Sequence, residues 1–121
     1  MDNNKEIAAL LNTWEQTYKK GQLTLWIFLA LKEDQKYVEE IKSFIEEKSH
    51  QTIRCEEQSI YRNLRKYQQL GVVDFETQKG NKGPDRKYYY LTVMGHQLTD
   101  TFIDRNIRLF FSAEMMQLLN Q

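Results

Sequence analysis

Residues 56–70 read EEQSIYRNLRKYQQL and are followed by Gly71. At about 3.6 residues per turn, Ile60, Leu64, Tyr67 and Leu70 share one face and Gln58, Arg62, Arg65 and Gln69 the other. The stretch therefore predicts a helix with an apolar inner side and a basic, amide-rich outer side that carries no acid. Glu56 and Glu57 stand in the first turn, where the helix dipole favours anions, and Gly71 can take the positive φ of a C-terminal cap. Such a helix is roughly 21 Å long. Its Arg and Gln heads are types that hydrogen-bond base edges in a major groove about 12 Å wide. A basic helix face taken alone is more often a solvated surface, so the rest of the chain has to decide.

At 121 residues the chain makes one domain, large enough to bury roughly two thirds of its unfolded surface without staples. Lys plus Arg and Asp plus Glu are 17 each, so net charge argues for no acidic partner. The distribution does. Residues 1–53 hold seven basic and nine acidic groups, 54–87 eight and five, and 88–121 two and three. The positive excess is confined to the third containing the basic helix. The single Cys55 excludes an intramolecular disulfide and, with His50 and His96 far apart, the usual zinc spacings. Cys55 reads as a small apolar packing residue and the histidines as surface residues. Leu25–Leu31, the longest apolar run, is too short to span a bilayer and reads as a buried element. The start MDNNKEIAALL has acids and amides where a signal peptide has a basic region, so a cytoplasmic location is expected.

Along the chain, Ile7, Leu10, Leu11, Trp14 and Tyr18 form one apolar stripe on a helix over Asn3–Tyr18, capped by Asp2 or Asn3. The stripe must lie against a core or a partner subunit. Gln22–Lys32 is apolar nearly all round and reads as a central buried helix. Asp34 is the expected cap of an amphipathic helix over Gln35–Lys48, with Val38, Ile41, Phe44 and Ile45 inward and Lys36, Glu39, Lys42, Glu46 and Glu47 outward. Ser49–Cys55, partly β-branched, is a candidate short strand. Val72–Gln78 alternates Val73, Phe75 and Thr77 against Val72, Asp74 and Glu76, a half-buried strand. KGNKGPDR and then KYYYLT complete an antiparallel hairpin with a long basic tip. Helices followed by such a hairpin are the order of a winged helix, whose third helix enters the major groove while the hairpin reaches the flanking backbone. The last helix, from Thr92–Gly95 to about Leu119, carries Leu98, Phe102, Ile103, Ile107, Phe110, Phe111, Met115 and Leu118. That apolar arc is too wide for one small domain to cover. Pairing with a second copy, the N-terminal helix alongside, is the simplest cover and gives two reading heads about a two-fold axis.

Over roughly residues 20–118 the chain resembles the PadR family of bacterial winged-helix transcriptional regulators. GQLTLWIFLALKE looks like that family's first helix, QSIYRNLRKYQQLGVV like its recognition helix, and GPDRKYYYLTVMG like its wing. In the wing, Gly83, Arg86, Lys87, Tyr88, Tyr89, Leu91, Thr92 and Gly95 match. The resemblance implies a mainly α chain with a small β-hairpin: an N-terminal helix (1–19), a winged helix-turn-helix (20–92) and a C-terminal dimerisation helix (93–121). It also implies a homodimeric repressor of double-stranded DNA targets, often relieved by a small planar or lipophilic effector, in the compact subgroup of the family. Four positions depart from the pattern. Tyr37 and Val38 replace a Gly-Tyr pair, Arg62 stands where Pro often follows the recognition-helix Tyr, and Asp85 occupies a position usually Arg or Pro. The interface tryptophan of some multidrug-sensing members has no counterpart; the matching position is about Asn106.

Carried over position by position, Ser59, Tyr61 and Arg62 open the recognition helix, with Gln58 before them and Arg65 and Lys66 after. By chemistry Gln58 and Arg62 suit base edges, whereas Ser59, Tyr61 and Lys66 suit phosphates. Lys79, Lys82, Arg86 and Lys87 either contact phosphate or minor groove or belong to a purely structural hairpin, which Tyr88–Tyr90 brace. Trp14, Trp26, Phe102 and Phe110, with Phe111, Met115 and Met116, either line an effector pocket between subunits or pack dry; such stripes fill cores first. There is no Gly-rich phosphate loop, metal-ligand cluster or nucleophile with a spaced base, so neither catalysis nor a cofactor is expected. The competing reading is a winged-helix protein-interaction module whose basic face is incidental.

Overall fold

The computed structural model describes residues 3–121, so the cap expected at Asp2 lies outside the described residues. Helix α1 spans Asn3–Tyr18, α2 Leu23–Glu33, α3 Val38–Lys48 and α4 Glu57–Gln69; strands β1 (Val73–Gln78) and β2 (Arg86–Leu91) follow, then α5 (Val93–Asn106), a 3₁₀ turn (Arg108–Phe111) and α6 (Ala113–Leu119). This is a mostly helical winged helix with one antiparallel hairpin.

The core sits where α2, α3, α4 and β2 meet. Ile27, Ile41, Ile45, Ile60 and Leu64 are fully buried there, at the 3.6-residue spacings that give each helix one inward stripe. Phe28 meets Tyr67 edge to face at 5.0 Å, tying α2 to the last turn of α4. Cys55 packs against this core, and burial first, then Glu46, pushes its thiol pKa up. It behaves as the small apolar residue expected.

The C-terminal end of α4 is a Schellman cap. Gly71, at φ +79°, donates to the Gln68 carbonyl at 3.0 Å and Val72 donates to Tyr67 at 2.9 Å. The cap turns the chain, which corrects two expectations. Leu70, assigned to the inner face, is 57% exposed, and Val72, grouped with Asp74 and Glu76 on the strand face opposite Val73, is buried before the strand begins. From there β1 pairs with β2 in a register running from Val73↔Leu91 to Gln78↔Arg86, so residues 79–85 form the tip.

Three further expectations change. Asp34 does not cap α3: residues 35–37 are diverted because Lys36 pairs with Tyr89 through backbone hydrogen bonds of 3.0 and 2.9 Å, adding the α2–α3 connector to the wing. Helix α3 begins at Val38 instead, with Tyr37 as its N-cap and the Tyr37 N–H donating to Glu40 Oε1 at 3.2 Å. Extended backbone also turns Lys36 inward, where its ammonium donates to the Ala30 carbonyl (2.7 Å) and Glu33 Oε1 (2.9 Å) at the C-terminus of α2. Ser49–Cys55 forms no strand. His50 and Gln51 take positive φ, and Ile53 N–H donates to Ser49 Oγ at 3.1 Å, closing a turn by side-chain competition with the backbone.

The C-terminal helix expected to run to about Leu119 is two helices. The α-helix stops at Asn106, Arg108–Phe111 tightens to 3₁₀, and Ser112, in extended conformation, caps α6 by accepting from Met115 N–H at 3.2 Å. No residue of α1, of the 3₁₀ turn or of α6 is buried. Trp14 is 73% and Phe111 67% exposed, so neither the N-terminal stripe nor the end of the arm lies on its own core.

Candidate nucleic-acid interface

Burial of Ile60 and Leu64 fixes the roll of α4 and leaves Gln58, Arg62, Arg65 and Lys66 exposed on the other side. Ser59 is half-buried at the helix start. Lys66 Nζ lies 5.4 Å from the centre of the Tyr67 ring. Tyr61 stands at the edge of the exposed face; partial burial first, then Glu39 and Glu57, push its pKa up, so its hydroxyl stays a neutral donor.

The wing brings Lys79, Lys82, Arg86 and Lys87, all exposed, to its tip and outer end. Lys87 Nζ sits 4.6 Å over the Phe75 ring and Arg86 Cζ 4.5 Å over the Tyr37 ring. Among the described residues, none of the basic groups of α4 or the wing is in an ion pair, whereas Lys32, Lys36, Lys48 and Arg108 are. Helix and wing meet across a cleft of about 390 Å³ walled by Tyr61, Pro84, Asp85, Arg86 and Tyr37. Of the sequence-assigned residues, Tyr61 of α4 and Arg86 and Lys87 of the wing are brought together at this cleft.

Tyr37 was missed by sequence reasoning, which left it in a scaffold helix. A signal for it exists: three consecutive tyrosines in β2 need partners on both sheet faces. Tyr89 finds Phe75 at 5.4 Å on the inner face, and Tyr88 finds Tyr37 at 5.3 Å on the outer.

The four residues assigned to an effector pocket are not brought together within one chain. Phe102 alone among them lines an apolar cavity of about 270 Å³ behind α4, with Leu25, Phe28, Tyr67 and Leu98. Trp14 and Phe110 are exposed, and Trp26 packs at the edge of the core. Asn63 Nδ2 donates to Thr24 Oγ1 at 2.8 Å beside this cavity, joining α4 to α2.

The model of the PadR-like family of transcriptional regulators matches residues 27–101, from the core of α2 through the recognition helix and wing into α5. The chain belongs to this family. Among solved structures it is similar to Bacillus subtilis PadR in complex with operator DNA, at 25% identity and TM-score 0.61, over 67% of this chain and 46% of that one. This PadR-like chain thus spans less than half the length of that relative. It is similar along nearly the full length of two others: a PadR-like regulator from Bacillus cereus (23% identity, TM-score 0.67, 87% of this chain and 98% of that one) and a PadR family regulator from Eggerthella lenta (18%, 0.70, 95% and 96%). These two share its fold. No curated protein matches the chain. Among the described residues of this PadR-like regulator, no helix is long and apolar enough to cross a membrane.

Proposed function

We propose that the chain is a homodimeric repressor that reads a near-palindromic operator, α4 lying in the major groove and the wing on the flanking backbone. The observation that carries this is that α4 and the wing, which meet at the Tyr61 cleft, both carry exposed basic groups in no ion pair among the described residues. Arg62 and Gln58 are the base-reading pair; Ser59, Tyr61, Lys66 and the wing residues Lys79, Lys82, Arg86 and Lys87 hold phosphates. The solved complex of the Bacillus subtilis relative with operator DNA supports the reading. Selection of bound sequences from random duplexes tests it: a two-fold symmetric consensus is the expected outcome, with half-sites about 34 Å apart. No consensus, with duplex Kd no tighter than about 10⁻⁴ M at physiological salt, would leave a protein-interaction module instead.

Asp85 places a negative charge at the wing tip, in the wall of the cleft. Asp85→Asn should therefore tighten binding to every duplex by about two- to fivefold at low salt, about 1 kcal/mol being the scale of one exposed charge pair in water. Fluorescence anisotropy on the selected operator and on an unrelated duplex checks it, and an effect on one duplex only would show that Asp85 acts otherwise.

The dimer is supported by the uncovered apolar residues of α1 and the C-terminal arm, Ile7, Leu10, Leu11 and Trp14 against Leu109, Phe111, Leu118 and Leu119. Sedimentation should give twice the 14.6 kDa chain mass. Phe111→Glu should shift it toward one chain with unchanged helix content, since Phe111 supports nothing in its own core. An effector for the apolar cavity behind α4, lined by Phe102 and Tyr67, would be a small aromatic or lipophilic molecule.

A further inference from the structure

Arg86 is the first residue of β2, opposite Gln78 at the open end of the ladder, exposed and in no ion pair among the described residues. A long arginine side chain in that position gives up much rotamer freedom when it binds an anion, and that loss weakens the contact. Here its guanidinium carbon already lies 4.5 Å from the centre of the Tyr37 ring. One contact braces the ring and two fix the backbone that carries it. Tyr88 meets it edge to face at 5.3 Å, the Lys36–Tyr89 bridge pins the backbone one residue away, and the Tyr37 N–H is fixed by Glu40 as α3 begins. Across the cleft stands Tyr61 of the recognition helix.

We propose that Tyr37 is a positioning residue that holds the Arg86 guanidinium over its ring, at the mouth of the cleft between wing and recognition helix, ready for the DNA backbone. The device rests on the DNA reading, and its size follows from an exposed cation–π contact, about two- to fivefold in affinity per wing. Lys87 also lines the cleft, but its ammonium sits over the Phe75 ring rather than over Tyr37.

The test is anisotropy with a fluorescein-labelled duplex recovered by the wild-type protein from a random pool. Tyr37→Leu should lose about two- to fivefold per wing, Tyr37→Phe should bind as wild type because the ring remains, and Tyr37→Leu should cost nothing further once Arg86→Ala is present. A Tyr37→Leu loss that persists undiminished beside Arg86→Ala would make the ring a mere hairpin brace and overturn the proposal; so would wild-type binding by Tyr37→Leu. Should Tyr37→Leu fail to fold, proton NMR of the free wild-type protein decides: ring current must shift the Arg86 Hδ signals upfield of those of Arg62, and their coincidence refutes the contact. A wild-type chain that binds no duplex overturns the DNA reading and this device with it, whereas duplex binding without coupling overturns the device alone.

Discussion

Gly95→Ala should lower the melting temperature by about 10 °C, although in an open helix the same exchange stabilises by about 0.5–1 kcal/mol. Gly95 lies in the first turn of α5, where that helix is seated on the turn between α4 and β1. A Cβ there would stand 2.0 Å from the Val72 carbonyl oxygen and 3.2 Å from Leu91 Cδ2. The oxygen is main chain and cannot swing aside: it accepts from Thr92 N–H at 3.1 Å, and Val72 itself closes the α4 cap. Lifting α5 instead would break the 2.6 Å hydrogen bond from Thr92 Oγ1 to the Gly71 carbonyl. Overpacking of this kind costs about 1–3 kcal/mol and more when backbone is the obstacle. It outweighs the helix gain and leaves a net loss of about 2–3 kcal/mol. Gly83→Ala, with open space around it, is the control and should stay within about 0.5 kcal/mol. Calorimetric melts compare the three; an unchanged or raised transition for Gly95→Ala would mean that α5 is not seated as described.

The same turn shows what a sequence can and cannot disclose. The order of helices and hairpin was legible because Ile60 and Leu64, Ile41 and Ile45, and Val73 and Phe75 keep helix or strand periods, and burial in one core enforces those periods. The cap at Gly71 was legible because only a residue free at positive φ suits it. What was hidden depended on pairing between distant segments. Lys36 looks like one more charge on an amphipathic helix until Tyr89 claims its backbone. Only then does Asp34 lose the capping role, Tyr37 take the N-cap and the cleft gain its third wall. Ser112 was hidden for another reason. Apolar residues continue on both sides of it, so the pattern predicts one helix, whereas its hydroxyl caps a new one. At the interface, residue type and family position gave the basic groups of α4 and the wing. Neither showed that helix and wing share a cleft through Tyr61.

Arg62→Ala should weaken binding to the selected operator by about 1–3 kcal/mol per half-site, roughly 5- to 150-fold, while unrelated duplexes lose far less. Arg62 projects from the face of α4 opposite the buried Ile60 and Leu64, and no carboxylate pairs with it among the described residues. Its removal therefore leaves the fold within about 0.5 kcal/mol. Any large loss then reports on DNA, and in a two-fold complex both copies contribute. Lys82→Ala at the wing tip should behave differently. A phosphate contact carries no sequence information, so affinity falls on all duplexes alike, and the slope of log K against log salt flattens by roughly 0.9 for each contact removed. The pair of variants separates reading from holding: one changes the ratio between operator and unrelated DNA, the other changes the salt slope at constant ratio. Operator affinity unchanged in Arg62→Ala would remove that residue from the base-reading set. If the ratio collapsed with Lys82→Ala instead, recognition would belong to the wing, and α4 would serve as the electrostatic platform.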